Sequence, residues 1–236
     1  MARRTALLIM GGEAYHNTPE HYELLAGLLA GPAGLNLTIT DDLLSQTEAS
    51  LSCYDLLVLW ATHREPPQEP VHALFNVVRK GTPLLGLHAA PYTVRMVEGG
   101  PEAIGCEYIK RFPHLPYQEI TVRILDRDHP VTAGMDDFRT TDELYCLENL
   151  GTDVKVLAYY DGREANRPFR TRDGRPDPRH DEANAWRMQQ PQAPLVYVKQ
   201  LGLGKICVNA LGHDAASLQN PGFRRLVVQA VQWLTS

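Results

Sequence analysis

Short apolar runs alternating with stretches of helical period are the feature that most narrows what this 236-residue chain can fold into. Residues 6–10, 35–40, 54–60 and 83–87 are nearly continuously apolar and bounded by Gly, Asp or Pro. Continuous apolar strands signal burial on both faces, as in a parallel sheet. Between the first two runs the sequence predicts a helix. Asn17 or Thr18 caps it, Pro19 suits its first turn, Leu24, Leu25, Leu28 and Leu29 form the inward stripe, and Gly31-Pro32 stops it. A second helix is expected over 69–80. This β-α-β-α-β rhythm predicts a doubly wound α/β fold, a mostly parallel sheet with right-handed crossovers and helices on both faces.

The second half mixes its signals. Residues 117–125, 154–160, 195–200 and 205–210 read as strands, the last two joined by a hairpin through Leu201-Gly202-Leu203-Gly204. A last helix starts with Asn220 as cap and Pro221 in its first turn. Phe223, Leu226, Val227, Ala230, Val231 and Leu234 hold its 3.6-residue period. Residues 161–193 carry seven arginines, several prolines and almost no apolar period, nearly balanced by Asp161, Glu164, Asp173, Asp177, Asp181 and Glu182. Such an insertion is either a solvated or subunit-contacting loop or a lid over substrate. The organisation expected is a single domain over 1–236 carrying this insertion.

Composition removes whole classes. Hydrophobic residues are 44% and charged residues 22%, as in ordinary globular proteins, and the net charge is −5. Nucleic acid and anionic membranes are therefore not expected partners, because phosphate contacts need a basic surface. Cys53, Cys106, Cys146 and Cys207 form no C-x-x-C pair, so reduced thiols in a cytoplasmic protein are expected. The N-terminal apolar run ends at Met10, too short for a secretory signal, and reads as a first strand. Gly11-Gly12 is not followed by G-x-G-x-x-G, so neither nicotinamide nor flavin is expected. A twofold homodimer is the default assembly.

The histidines carry the functional signal. Open α/β sheets bind ligands beyond the carboxyl ends of their strands. His16, His63, His88 and His213 each fall just past a predicted strand end, and one shared site is the reading. His88 stands in Gly86-Leu87-His88-Ala89-Ala90, the strand-to-helix grammar of a nucleophile elbow. Imidazole cannot replace a thiolate or hydroxyl nucleophile there, and no Gly-x-Ser-x-Gly elbow exists, so amidotransferase and serine-hydrolase chemistry are not expected. Asp214 can orient the neighbouring imidazole or cap a helix. Tyr15 and Tyr145 can stack on a sugar face, although Tyr145 reads equally well as core.

In order along the chain come Gly11-Gly12-Glu13-Ala14-Tyr15-His16-Asn17, the His88 elbow and Arg111-Phe112-Pro113-His114. His129-Pro130-Val131-Thr132-Ala133-Gly134-Met135, Thr141-Asp142-Glu143-Leu144-Tyr145, Gly202-Leu203-Gly204-Lys205 and Leu211-Gly212-His213-Asp214 follow. With these motifs the chain resembles the ThuA-like (trehalose-utilisation) family, whose fold is flavodoxin-like and related to the class I glutamine amidotransferases. The resemblance runs from first strand to last helix. It implies a role in carbohydrate utilisation, on disaccharides or their 3-keto derivatives, and brings His114 and Glu143 into the site.

The expected assignment is therefore His88, Glu143 and His213 as catalytic residues. Tyr15, His16, Asn17, His63, His114 and Asp214 are expected to touch substrate. Three imidazoles, His16, His88 and His213, are a set that a zinc-like divalent cation would take. Without a metal, a histidine beside Glu143 can remove the proton alpha to a ketone. Three readings stay open: a sugar lyase, isomerase or hydrolase, a non-catalytic sugar- or small-ligand-binding module on a degenerate amidotransferase-like scaffold, and a structural partner of another enzyme. Any sugar dehydrogenase in the same pathway would be a separate protein.

Overall fold

The computed structural model describes residues 3–14, 16, 18–109, 111–112, 114–171 and 173–236. Tyr15 and Asn17 lie outside the described residues. In chain order the elements are β1 (Thr5–Ile9), α1 (Pro19–Ala30), β2 (Asn36–Thr40), α2 (Glu48–Leu51), β3 (Leu56–Leu59), α3 (Gln68–Arg79) and β4 (Leu84–Leu87). Then come α4 (Ala90–Val94), α5 (Gly100–Ile104), β5 (Glu107–Tyr108), β6 (His114–Ile124), β7 (Phe138–Tyr145), β8 (Leu147–Glu148) and β9 (Lys155–Tyr160). The chain closes with α6 (His180–Met188), β10 (Ala193–Leu201), β11 (Gly204–Asn209), α7 (Ala215–Gln219) and α8 (Pro221–Leu234).

Nine strands form one sheet in the order β2-β1-β3-β4-β11-β10-β9-β6-β7. The five from β2 to β11 are parallel, and the rest of the sheet is antiparallel. The parallel half is built as its apolar runs predict. Along β1, Ala6 and Leu8 pack on one side of the sheet and Leu7 and Ile9 on the other. Leu56 and Val58 of β3 face the first side, Leu57 and Leu59 the second. α1 and α8 cover one face with Leu25, Leu28, Leu29, Phe223, Val227 and Val231, while α3 covers the other with Val71, Leu74, Phe75 and Val78. The predicted caps hold: Thr18 accepts from His21 N–H, and Asn220 accepts from Gly222 N–H at 2.9 Å.

Three expectations change. β2 is an edge strand with mostly exposed side chains, not one buried on both faces; its Asn36-Leu37-Thr38-Ile39-Thr40 alternates polar and apolar. β7 had no strand signal because its inward positions include Thr140 and Asp142, polar residues that mask the period. The insertion at 161–193 contains α6, anchored by buried Ala183 and Trp186. Two inward side chains are too few to print a period on nine residues.

Candidate active site

Three turns and two strands bring the site together at the carboxyl end of the parallel strands. Between β1 and α1, Gly11 and Gly12 take φ of 102° and 96°. A Cβ on Gly12 would lie 2.5 Å from the Thr62 carbonyl carbon, so only glycine lets this loop cross β3's end and deliver His16. After β4, His88 itself has φ 43°, and its N–H donates to the Asn209 carbonyl at 2.8 Å. That left-handed conformation in a non-glycine residue is the nucleophile-elbow geometry expected from the sequence. Beyond β11, Gly212 turns with φ 113° and presents His213. β7 supplies Glu143, and the start of β6 supplies His114.

These side chains converge. His16 Nε2 lies 2.9 Å from His213 Nδ1 and 3.2 Å from His88 Nε2. Glu143 Oε2 is 3.2 Å from His213 Nδ1 and 4.0 Å from both His16 Nε2 and His88 Nε2. Its other oxygen, Oε1, is 3.4 Å from His114 Nδ1. The Tyr145 hydroxyl lies 3.2 Å from His88 Nε2, and the two rings stack. Trp60 packs beneath His16, His21 and His88.

Electrostatics separates the imidazoles. Burial, then the charge of His213, lowers His16 to about 4. Burial, then the charge of His16, pushes fully buried His88 well below its ordinary value. His213 moves the other way: burial opposes its charge, but the Glu143 hydrogen bond and the Glu143, Asp142 and Asp214 carboxylates overcome it. Burial likewise opposes ionisation of Glu143, yet His213's hydrogen bond and the surrounding histidines hold it down to about 2. The centre thus sets two imidazoles held neutral, His16 and His88, beside an ionised Glu143 whose partner is His213.

Ligand atoms of His16, His88, Glu143 and His213 all lie within 4.8 Å of one another. Zinc bonds of about 2.0–2.1 Å place tetrahedral ligands about 3.3 Å apart; the 2.9 and 3.2 Å spacings approach this, and the 4.0 Å spacings of Glu143 Oε2 from His16 and His88 exceed it. The donor set fits a divalent cation. It also reads as a mutually hydrogen-bonded cluster, but three ring nitrogens and one carboxylate oxygen facing inward share few protons.

His16 and Glu143 reach a cavity of about 560 Å³, walled also by Glu13, Tyr92, Arg95 and His114. Tyr92 donates to Glu13 Oε2 at 3.2 Å and carries the Arg95 guanidinium 3.6 Å over its ring. Among the described residues, none of 161–193 lines this cavity. The insertion's charges pair locally, Arg163 with Asp161 and Arg179 with Asp177, and Arg123 of β6 binds Glu164 at 2.7 Å. Local pairing of this kind is what the solvated-loop alternative calls for.

Not every sequence candidate joins the cluster. His63 sits beyond β3, but the carboxylate acting on it is Asp42, and its flanking residues Thr62 and Arg64, not His63 itself, line the cavity. Asp214 takes the capping alternative: Oδ1 accepts from Ser217 N–H at 2.9 Å and Oδ2 from the Tyr117 hydroxyl at 2.6 Å. Glu143 rather than Asp214 holds the His213 ring. Sequence reasoning gave no role to Asp142, Tyr92 or His21. Only Asp142 had a usable signal, a carboxylate one residue before Glu143. Cys106 and Cys207 are pushed up to about 12 by burial, so neither offers a thiolate.

Fold and site together define an amidotransferase-like α/β protein whose elbow carries histidine in place of a nucleophile. A family model described as "ThuA: Trehalose utilisation" matches residues 6–234, and the chain belongs to that family, which places it in carbohydrate utilisation. A ThuA-like protein from Bacteroides uniformis superposes with a TM-score of 0.74 at 20% identity, over 98% of this chain and 91% of that one. One from Parabacteroides merdae gives 0.73 at 19%, over 100% and 91%. A GMP synthase-like protein from Thermoplasma acidophilum gives 0.61 at 11%, over 98% and 94%, which shows the shared amidotransferase-like fold. No curated protein matches the chain significantly. Among the described residues, no helix is long and apolar enough to cross a membrane.

Proposed function

We propose that this protein is a sugar-processing enzyme in which His16, His88, Glu143 and His213 hold a divalent cation at the floor of the cavity, acting on a keto sugar or keto-disaccharide. The observation that carries the reading is the convergence of three imidazole nitrogens and one carboxylate oxygen within 4.8 Å where the cavity ends. A bound cation would polarise a substrate carbonyl. His114 is the imidazole outside that set, half-exposed in the cavity and 3.4 Å from Glu143 Oε1, and it is placed to carry a proton. On a 3-keto sugar it takes the C2 proton as the C–H electron pair moves towards the C3 oxygen. Protonation of C2 by water on the opposite face, with His114 giving its proton back to solvent, yields the epimer; departure of the C1 substituent with its bonding pair, as the enolate pair forms the C1–C2 double bond, gives elimination. Such proton transfer contributes typically about 10²–10⁴-fold.

Untagged protein purified without chelator is expected to hold close to one equivalent of a divalent metal by elemental analysis, and His88→Ala to lose it. Glu143→Gln, a milder change in shape, is expected to weaken retention and abolish turnover of keto sugars while the circular dichroism spectrum is kept. Metal-free wild type that stays empty after incubation with zinc, manganese or nickel would sink the metal-centred reading.

A further inference from the structure

We infer that Asp142 is a positioning residue for the cluster, fixing the turn that carries His213 through that turn's backbone. The inference rests on the metal-centred reading above. Asp142 is on β7, 0% exposed, one residue before Glu143 and on the opposite face of the strand. Its Oδ2 accepts the Gly212 N–H at 2.8 Å and the Ser217 hydroxyl; its Oδ1 accepts the His213 N–H at 3.2 Å and the Glu143 N–H at 2.8 Å. Two of those four donors, Gly212 and His213, belong to the connection from β11 to α7, and a third, Ser217, to α7 itself. The adjacent Glu143 meanwhile reaches the His213 ring, Oε2 to Nδ1 at 3.2 Å. One dipeptide thus grips His213 twice, the backbone from one face of β7 and the imidazole from the other.

The opposite side of the turn is held too. Trp60 Nε1 donates to the Gly212 carbonyl at 3.2 Å, and His21 Nε2 lies 3.2 Å from the His213 carbonyl. The N–H groups of the turn depend on Asp142, its carbonyls on Trp60 and His21. A buried carboxylate is costly unless its lone pairs are filled, and a neutral side chain would hold a turn at lower desolvation cost. What the carboxylate adds is direction: four donors aimed at two oxygens leave the turn one arrangement. Groups that orient a metal ligand in this way are typically worth about 10–100-fold in metal affinity.

The test is zinc affinity by competition with a chromophoric chelator, with urea unfolding of the metal-free proteins alongside. Asp142→Asn is expected to weaken zinc binding about 10–100-fold. Val231→Ala, a buried change in α8 that lowers stability without touching the turn, is expected to bind zinc as the wild type does. Ser217→Ala removes one donor to Asp142 and is expected to weaken zinc about threefold; it decides the matter if Asp142→Asn does not fold. Zinc bound equally by wild type and by the Asp142 and Ser217 variants overturns this inference alone. No zinc in the wild type overturns the metal-centred reading, and this inference with it.

Discussion

At the scale of single residues, His16 and His88 store a pH dependence whose sign is fixed by burial. An unfolded chain protonates His16 and His88 near 6.5, whereas the folded protein resists: His16 titrates near 4, and His88 is also well below its ordinary value. Between those limits the unfolded state binds more protons, so stability rises with pH and is lost as pH falls from 6.5 towards 4. His16 alone accounts for on the order of 3 kcal/mol across that window. His21, His63 and His129, lowered mainly by burial, act in the same direction. Asp142, raised to about 6 by burial against its hydrogen bonds, acts oppositely, because the folded state takes up its proton first as pH falls. Urea unfolding of metal-free protein from pH 7.5 to 4 should show stability dropping through the window, and His16→Gln should flatten the drop. A His16→Gln profile as steep as that of the wild type contradicts the buried, neutral state of His16.

At the scale of elements, the loops matter more than the strands they follow. The β1–α1 loop passes so close to β3's end that Gly12→Ala puts a Cβ within 2.5–2.9 Å of the Thr62 and His63 backbone, at a φ that alanine avoids. Neither partner is a flexible side-chain end, so the substitution is expected to cost about 2–4 kcal/mol. It should also displace His16, so metal retention falls with stability; a loss below about 1 kcal/mol in urea unfolding would show the loop has room to give. The same contrast governs what the sequence made legible. The inner strands of the parallel half, β1, β3, β4 and β11, announce themselves because both faces are apolar, and the ends of β1, β4 and β11 locate His16, His88 and His213 without any homologue. His63 shares that position yet lies near Asp42, because placement at a strand end does not set where a ring points. Glu143 and His114 were reachable only by resemblance: Glu143 belongs to β7, whose polar inward residues hide the period, His114 opens β6 ahead of the stretch 117–125 that reads as a strand, and no local signal foretells the antiparallel pairing of the two. Asp142 shows the limit most plainly. Its role is a set of hydrogen bonds to residues some seventy positions away, invisible until the chain is folded.

At the scale of the whole molecule, the cluster joins the two halves of the sheet. His16, His88 and His213 stand beyond β1, β4 and β11 of the parallel half, while Glu143 comes from β7, the far edge strand of the antiparallel half. β7 reaches the cluster along its length, from Phe138 against Gly222 at the start of α8 to Tyr145 stacked on His88. On the proposed metal-centred reading, a bound cation therefore closes a loop through both halves, and four segments distant in sequence are held at one point. A ligand that binds only the folded state adds about 2.7 kcal/mol at a hundred times its dissociation constant. For a chain of this size each kcal/mol raises the melting temperature by about 2–4 °C, so the expected gain is about 5–10 °C. The gain should vanish on adding excess chelator and be absent in Glu143→Gln, whose edge strand no longer offers a charged oxygen. Amide exchange should slow in β7 and in residues 212–217 together when metal is added. Protection confined to the three histidine turns, with β7 unchanged, would mean that the cation is held by the parallel half alone and that Glu143 serves substrate instead.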